Sequence, residues 1–385
     1  MELTDFDCNQ FIAILQEELV PALGCTEPIA IAYAGAHARA LLGKIPDRVC
    51  IKSSGNIIKN VKSVTVPNSG NMKGIPAAAA IGIIGGNPDK GLEVLADITE
   101  ADIARTKEFL EKVPCKVSLL DTVASLHFIV EVFAGADSAS VEIIHQHTNI
   151  VRTTKNGKDV LSVPFDPASA NAALTDRLGL SVKKILEFAD TINLDRVRPI
   201  LERQIDYNTR IAQEGLEHRY GINAGANLLK AAEAERAVTL KIRAQAAAAA
   251  GSDARMSGCT LPVVTNSGSG NQGLTASLPV IVFAEEKKLP HDKLLRGLLV
   301  SNLIAIHQKT RIGRLSAYCG AVSAGCGSGA AITYLSGGSY EQVCETITNT
   351  LAVVSGIVCD GAKPSCASKI ATSVDAALNA HYLAM

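Results

Sequence analysis

The sequence predicts an α+β protein in which a mainly helical domain carries a smaller α+β domain inserted near the N-terminus. Three observations lead there. The chain has 385 residues, more than one ordinary core accommodates. Between about 46 and 165, short β-branched runs alternate with turn residues. Beyond Asp166 the strand pattern all but disappears, replaced by Ala- and Leu-rich helical segments. The expected boundaries are 1–45 for N-terminal helices packing on the helical domain, 46–165 for the α+β domain and 166–385 for the helical domain.

Taken in order, Phe11, Leu15, Leu19 and Leu23 recur at spacings of four, and residues 30–42 are rich in Ala and Leu, so 7–42 reads as one or two helices. Gly24-Cys25-Thr26-Glu27-Pro28 marks the junction, with Thr26 a candidate N-cap and Pro28 in the first turn. Cys25 then stands at a helix N-terminus, where the dipole lowers a thiol's pKa; the alternative is a small buried residue at a helix break. Strands are expected at 48–53, 63–66, 116–120, 127–134 and 140–144, with a hairpin over 149–163 turning at Asn156-Gly157. Helices are expected at 74–85 and 99–112 within this region. Beyond it they are expected at 176–190, 195–215, 227–250, 291–307, 339–355 and 367–384.

Composition narrows the function classes. With 47% apolar and 19% charged residues the chain is an ordinary globular protein. A net charge of −1 supplies no attraction to nucleic acid or to an anionic membrane. Aromatics are 4% and Trp is absent, which removes the usual stacking platform for single strands. No apolar run approaches the roughly 18 residues of a spanning helix. The acidic start, Glu2, Asp5 and Asp7, is unlike a secretory leader, so a cytoplasmic location is expected. In that reducing compartment the ten cysteines are expected as thiols, most of them small buried hydrophobes.

Two regions break the helical half. The first is Gly251 to Cys259, followed by Thr265-Asn266-Ser267-Gly268-Ser269-Gly270-Asn271-Gln272-Gly273, an uncharged run of amides, hydroxyls and backbone N–H groups suited to a carboxylate or small polar substrate. It is neither a P-loop nor a dinucleotide fingerprint. The turn Pro67 to Gly74, containing Asn68, Ser69 and Asn71, offers a second anion-binding geometry, although such a turn also serves as a plain strand-to-helix connection. His145 and His147 are spaced as a strand pair without a third ligand nearby and read first as packing residues. Cationic residues in 307–311 read as a helix end.

The second break holds four cysteines among Gly, Ala and Ser: Cys319, Cys326, Cys359 and Cys366, with Cys344 in the spacer. Zinc prefers paired knuckles of closer spacing and a redox dithiol prefers C-x-x-C. An iron–sulfur cluster on three cysteines tolerates irregular spacing and leaves one iron open as a Lewis acid. Purely structural thiols remain the fourth reading.

G-C-T-E-P-I-A at 24–30, S-G-C-T-L-P at 257–262, T-N-S-G-S-G-N-Q-G at 265–273, S-A-G-C-G-S-G-A-A at 323–331 and C-D-G-A-K-P-S-C at 359–366 occur together in this order. With these motifs the sequence resembles the L-cysteine desulfidase family, related to the catalytic chain of iron–sulfur L-serine dehydratases. The resemblance implies a [4Fe–4S] cluster on Cys326, Cys359 and Cys366, with Cys319 as the competing ligand. It implies an active-site role for Cys25, as a catalytic thiol or as a cluster ligand, where the dehydratases carry a Ser-rich element, and makes the helical domain the catalytic one. Thr26, Glu27, Asn68, Ser69, Asn71, Thr265, Asn266, Ser267, Asn271 and Lys363 are the candidate substrate-binding residues. The activity implied is pyridoxal-phosphate-independent α,β-elimination of L-cysteine to hydrogen sulfide, ammonia and pyruvate. Dehydration of L-serine at the same site is the alternative, and a non-catalytic cluster-binding regulatory protein is the second. The expected partner is a small amino-acid substrate, and Ala-rich helices point to a homodimer.

Overall fold

The computed structural model describes residues 3–168 and 174–385. The chain opens with α1 (Asp5–Glu18), started by a reciprocal cap between Thr4 and Asp7. After β1 (Pro21–Leu23), Gly24 at φ +61° turns the backbone into α2 (Thr26–Leu42), whose N-cap is Cys25 and whose end is Gly43 in the left-handed region. The sheet region follows: β2 (Arg48–Ser53), α3 (Gly55–Val61), α4 (Gly74–Gly85), α5 (Glu100–Lys112), β3 (Cys115–Leu119), β4 (His127–Ala134), β5 (Asp137–Ile144), β6 (Ile150–Lys155) and β7 (Lys158–Ser162). These strands form one sheet in the order β3-β2-β4-β5-β6-β7. Only β2 and β3 run parallel; every other neighbour is antiparallel.

One face of the sheet is covered by α2 and α4. Phe128, Val130, Val132, Val141 and Ile143 alternate with more exposed positions along β4 and β5, as period-two strands require. They pack against Ile29, Ile31, Ile81 and Ile83. Helix α4, Gly-Ile-Pro-Ala-Ala-Ala-Ala-Ile-Gly-Ile-Ile-Gly, is apolar all round because neighbours surround it. A Cβ on Gly82 would stand 2.1 Å from the Ala32 carbonyl oxygen, so α2 and α4 meet backbone to backbone.

The remainder is helical: α6 (Val182–Thr191), α7 (Arg198–Glu217), α8 (Ala224–Ala234), α9 (Leu240–Met256), a short β8 (Pro262–Val264), α10 (Gly270–Glu286), α11 (His291–Ile312), α12 (Gly320–Leu335), α13 (Tyr340–Val354) and α14 (Cys366–Ala384). Helix α12 is central, packed against α10, α11, α13 and α14. Its glycines make this possible. Cβ atoms on Gly325 and Gly329 would meet α14 at Ser373 and Ala377, and one on Gly327 would lie 2.4 Å from the Ser301 carbonyl oxygen of α11. The N-terminal segment is shared between two cores: Phe11, Ile14 and Leu15 of α1 join the helical core, whereas α2 joins the sheet core.

The α+β architecture matches the sequence expectation, and several elements differ in detail. The stretch expected to break at Gly251 continues as α9 to Met256. The single helix expected over 227–250 is two helices, divided at Arg236 with φ +53° and restarted by the Thr239 cap. Residues 63–66 form only an isolated bridge, Thr65 to Lys73. Helices α10 and α12 grow out of the two glycine-rich runs read as loops; buried neighbours override the low helix propensity of glycine there.

Gly327→Ala tests this packing. It forces α12 away from α11 and is expected to lower stability by about 1–3 kcal/mol in a urea or thermal melt.

Candidate active site

A cavity of about 110 Å³ lies where the two cores meet. Its walls come from the N-terminus of α2, the turn after β5, the start of α10, the end of α11 and the segments ahead of α12 and α14. The α2 wall is fixed by pairing of β1 with β8, which sets Pro21 opposite Val264 and Leu23 opposite Pro262. Cys25 and Thr265 leave this ribbon directly towards the site.

Cys25 and Glu27 line the cavity. The Cys25 thiol donates to Glu27 Oε2 at 3.1 Å, and Asn60 Nδ2 donates to Glu27 Oε1 at 2.9 Å. Thr26 Oγ1 stands 3.1 Å from both Glu27 Oε2 and the Gly268 carbonyl oxygen, tying α2 to the polar loop. Burial and the adjacent Glu27 carboxylate push the Cys25 thiol well above its ordinary pKa, outweighing the helix dipole expected to lower it. Burial opposes ionisation of Glu27, but His147, the Cys25 thiol and its own backbone N–H outweigh that and hold its carboxyl below the usual value. His147 faces the same carboxylate; burial drives its imidazole down to about 4 against the opposing pull of Glu27, and among the described residues its Nε2 is buried without a partner. It sits in the turn beyond β5, where His145 has φ +66°, so the two histidines do not share a strand face.

The polar loop is a tight turn. Asn266 and Ser269 exchange backbone hydrogen bonds, and both central residues, Ser267 and Gly268, have positive φ. Its two glycines each yield to a guanidinium: a Cβ on Gly268 would stand 3.1 Å from Arg314 Nε, and one on Gly270 2.3 Å from Arg255 Nε. Arg314 is paired with Glu18 at 2.8 Å, and Arg177 holds the same carboxylate oxygen at 2.7 Å. Arg255 is 3% exposed, its Nε is unpartnered, and its one hydrogen bond is a 3.6 Å contact from NH1 to Met256 Sδ.

Cys319, Cys359 and Cys366 line this cavity with Cys25. Tyr318 bridges Val358, the Cys319 N–H donates to the Ile357 carbonyl, and the Cys359 N–H donates to the Ala317 carbonyl. Two cysteines forty residues apart in sequence are therefore carried on one two-stranded clasp. Cys366 opens α14. Burial raises the Cys319 thiol, and the proximity of Cys366 and Cys359 raises it further. Among the described residues no three His, Cys, Asp or Glu side chains converge closely enough to hold a single metal ion.

A family model described as "Serine dehydratase alpha chain" matches residues 89–385. The chain belongs to the serine dehydratase alpha chain family. This is a family of lyase-type enzymes. The chain is also similar over its whole length to curated "UPF0597" proteins. That of Treponema denticola is 57% identical over 386 residues, covering 100% of this chain and 90% of the relative. That of Lachnoclostridium phytofermentans is 54% identical, with 98% and 89% covered, and that of Vibrio campbellii 38%, with 98% and 89% covered. The region matched to the serine dehydratase alpha chain holds the polar loop, both arginines and all the rim cysteines, whereas Cys25 precedes it.

Of the candidate ligand, catalytic and substrate-binding residues singled out from sequence, Cys25, Glu27, Ser267, Asn271, Cys319, Cys359 and Cys366 reach the cavity. Thr265 and Asn266 support it from behind, Thr265 Oγ1 donating to the Glu18 carbonyl and Asn266 Nδ2 to Asn302 Oδ1. Asn68, Ser69 and Asn71 do not reach it; Asn68 donates to the Leu95 carbonyl, tying the turn to the segment ahead of α5, and Ser69 donates to the Val66 carbonyl within the turn. Lys363 turns to Asp360 at 2.8 Å instead. Cys326 is wholly buried inside α12 with its sulfur 3.8 Å from the Ile347 carbonyl oxygen, away from the cavity, and burial pushes its thiol up to about 12. Its flanking glycines serve helix packing, so the S-A-G-C-G-S-G-A-A run is a helix interior and not a loop at the rim. The sequence reading passed over Arg255, Arg314, Asn60 and the buried role of His147. An Arg within the buried, Ala-rich stretch of α9 was the available signal for Arg255.

Alkylation of the metal-free protein at neutral pH, followed by peptide mapping, is expected to mark Cys359 well before Cys326.

Proposed function

We propose that this protein is an iron–sulfur lyase that eliminates sulfide from L-cysteine, giving pyruvate and ammonia. The observation that carries the reading is the hydrogen-bonded Cys25–Glu27 pair in the same cavity as Cys319, Cys359 and Cys366. Membership of the serine dehydratase alpha chain family supports the reaction class, and the family match keeps L-serine dehydration as the second reading.

The donor set suits a [4Fe–4S] cluster. Three thiols on two backbone-tied segments face one cavity, spread too widely for a single ion, and a cluster takes each thiolate at a different iron. Cys319, Cys359 and Cys366 are the ligands we assign, with Cys319 in the role that sequence gave to Cys326. Bound there, the cluster would supply a Lewis acid that makes the β-substituent a better leaving group.

The chain's own residues handle the proton. Cys25 is protonated at rest and donates to an ionised Glu27. It takes the α-proton as its own passes to Glu27 Oε2, so the proton lost from carbon ends on the carboxylate. The Cα–H electrons form the Cα=Cβ bond, the Cβ–S bond breaks and sulfur leaves as HS⁻; water then converts the released aminoacrylate to pyruvate and ammonia. Asn60 and Thr26 fix the Glu27 carboxylate so that Oε2 meets the thiol.

Protein purified without oxygen is expected to contain iron and acid-labile sulfide and to release sulfide and pyruvate from L-cysteine faster than pyruvate from L-serine. Iron-free protein, or cluster-bearing protein inert towards both amino acids, sinks the proposal. Glu27→Gln is expected to lower kcat by about 10²–10⁴, and Cys319→Ser to lose the cluster absorption that Cys326→Ser keeps.

A further inference from the structure

The lyase reading leaves Arg255 unexplained. Its side chain is almost fully buried, and among the described residues no carboxylate lies within ion-pair distance of it, Glu27 of the same cavity feeling its charge only from further off. An unpaired buried guanidinium is costly and persists where something anionic visits it. Gly270 leaves room for it: any side chain at that position would run into Nε. Asn271 Oδ1 and Gln272 Oε1, on the first turn of α10, are also buried without partners and line the same cavity. The neighbouring Arg314 differs in having its charge committed to Glu18.

We propose that Arg255 is the carboxylate anchor of the site, taking the α-carboxylate of a small L-amino acid. The identity of that ligand rests on the lyase reading; the anion-binding role does not. With the carboxylate on Arg255, the amide oxygens of Asn271 and Gln272 are available acceptors for the α-ammonium group, and the remaining end of the molecule extends towards Cys25 and the rim cysteines. The polar loop's part is then to leave space for the guanidinium, and Arg255 supplies the charge that the loop lacks.

L-Alanine has the carboxylate and the amine without a β-leaving group, so it separates binding from elimination. Calorimetric titration of the anaerobic holoenzyme with L-alanine, and with L-alaninamide as the control lacking the carboxylate, is expected to show binding of the first only. Arg255→Gln is expected to weaken L-alanine by roughly 30- to 100-fold, the loss of one charge-assisted carboxylate contact. The KM for the substrate should rise by a similar factor, while the iron content and visible spectrum stay unchanged. Arg255→Lys, which keeps the charge but loses the planar fork, is expected to fall between them and is read if the Gln variant does not fold. L-Alanine affinity within twofold of wild type in the variant that folds overturns the anchor, as do failure of wild type to bind L-alanine and equal binding of the amide. Arg255-dependent L-alanine binding by an enzyme that eliminates neither substrate leaves the anchor standing and removes the lyase reading.

Discussion

The site depends on a three-residue ribbon. Pairing of β1 with β8 joins the start of the chain to the middle of the helical half, and Cys25 and the polar loop leave its two ends. Beyond β1 the chain turns at Gly24 and offers Cys25; beyond β8 it enters the polar loop. Further bonds lock this registry: the Thr265 N–H donates to the Val20 carbonyl and Thr265 Oγ1 to the Glu18 carbonyl, while Thr26 contacts Gly268.

Small residues do two kinds of work around this ribbon. In α4 and α12 they let helices touch by their backbones, α4 against α2 beneath the sheet and α12 against α11 and α14 in the helical half. In the polar loop they make way for charge. Gly268 and Gly270 sit two residues apart, and each is pressed by a guanidinium from a different helix end. The same residue type in one family of motifs therefore has unrelated physical roles, decided by what lies opposite.

That ambiguity explains what sequence disclosed and what it withheld. The β-branched runs, the Asn156-Gly157 hairpin and the helix over 99–112 were legible because period and turn chemistry are local. Cys25 and Glu27 were legible as an unusual helix start. Cys326 was misleading because a glycine-flanked cysteine reads the same whether the glycines form a loop or a helix seam; only α11, α13 and α14, distant in sequence, decide it. Asn68 to Asn71 carried an anion-binding pattern, but Asn68 spends its amide on the Leu95 carbonyl and Ser69 its hydroxyl on the Val66 carbonyl. Arg255 was hidden by the reverse error: its helix was taken to end before reaching it.

The Tyr318–Val358 bridge has a thermodynamic consequence. Many small metalloproteins collect their thiols only when metal arrives, so that metal affinity and folding free energy are one quantity. Here the Cys319 and Cys359 backbones are gathered by hydrogen bonds to Ile357 and Ala317, at the open end of the hairpin formed by α12 and α13. The entropy of bringing these thiols together is met by the polypeptide. A metal group taken up at this rim would meet two of its thiols already held together by the backbone.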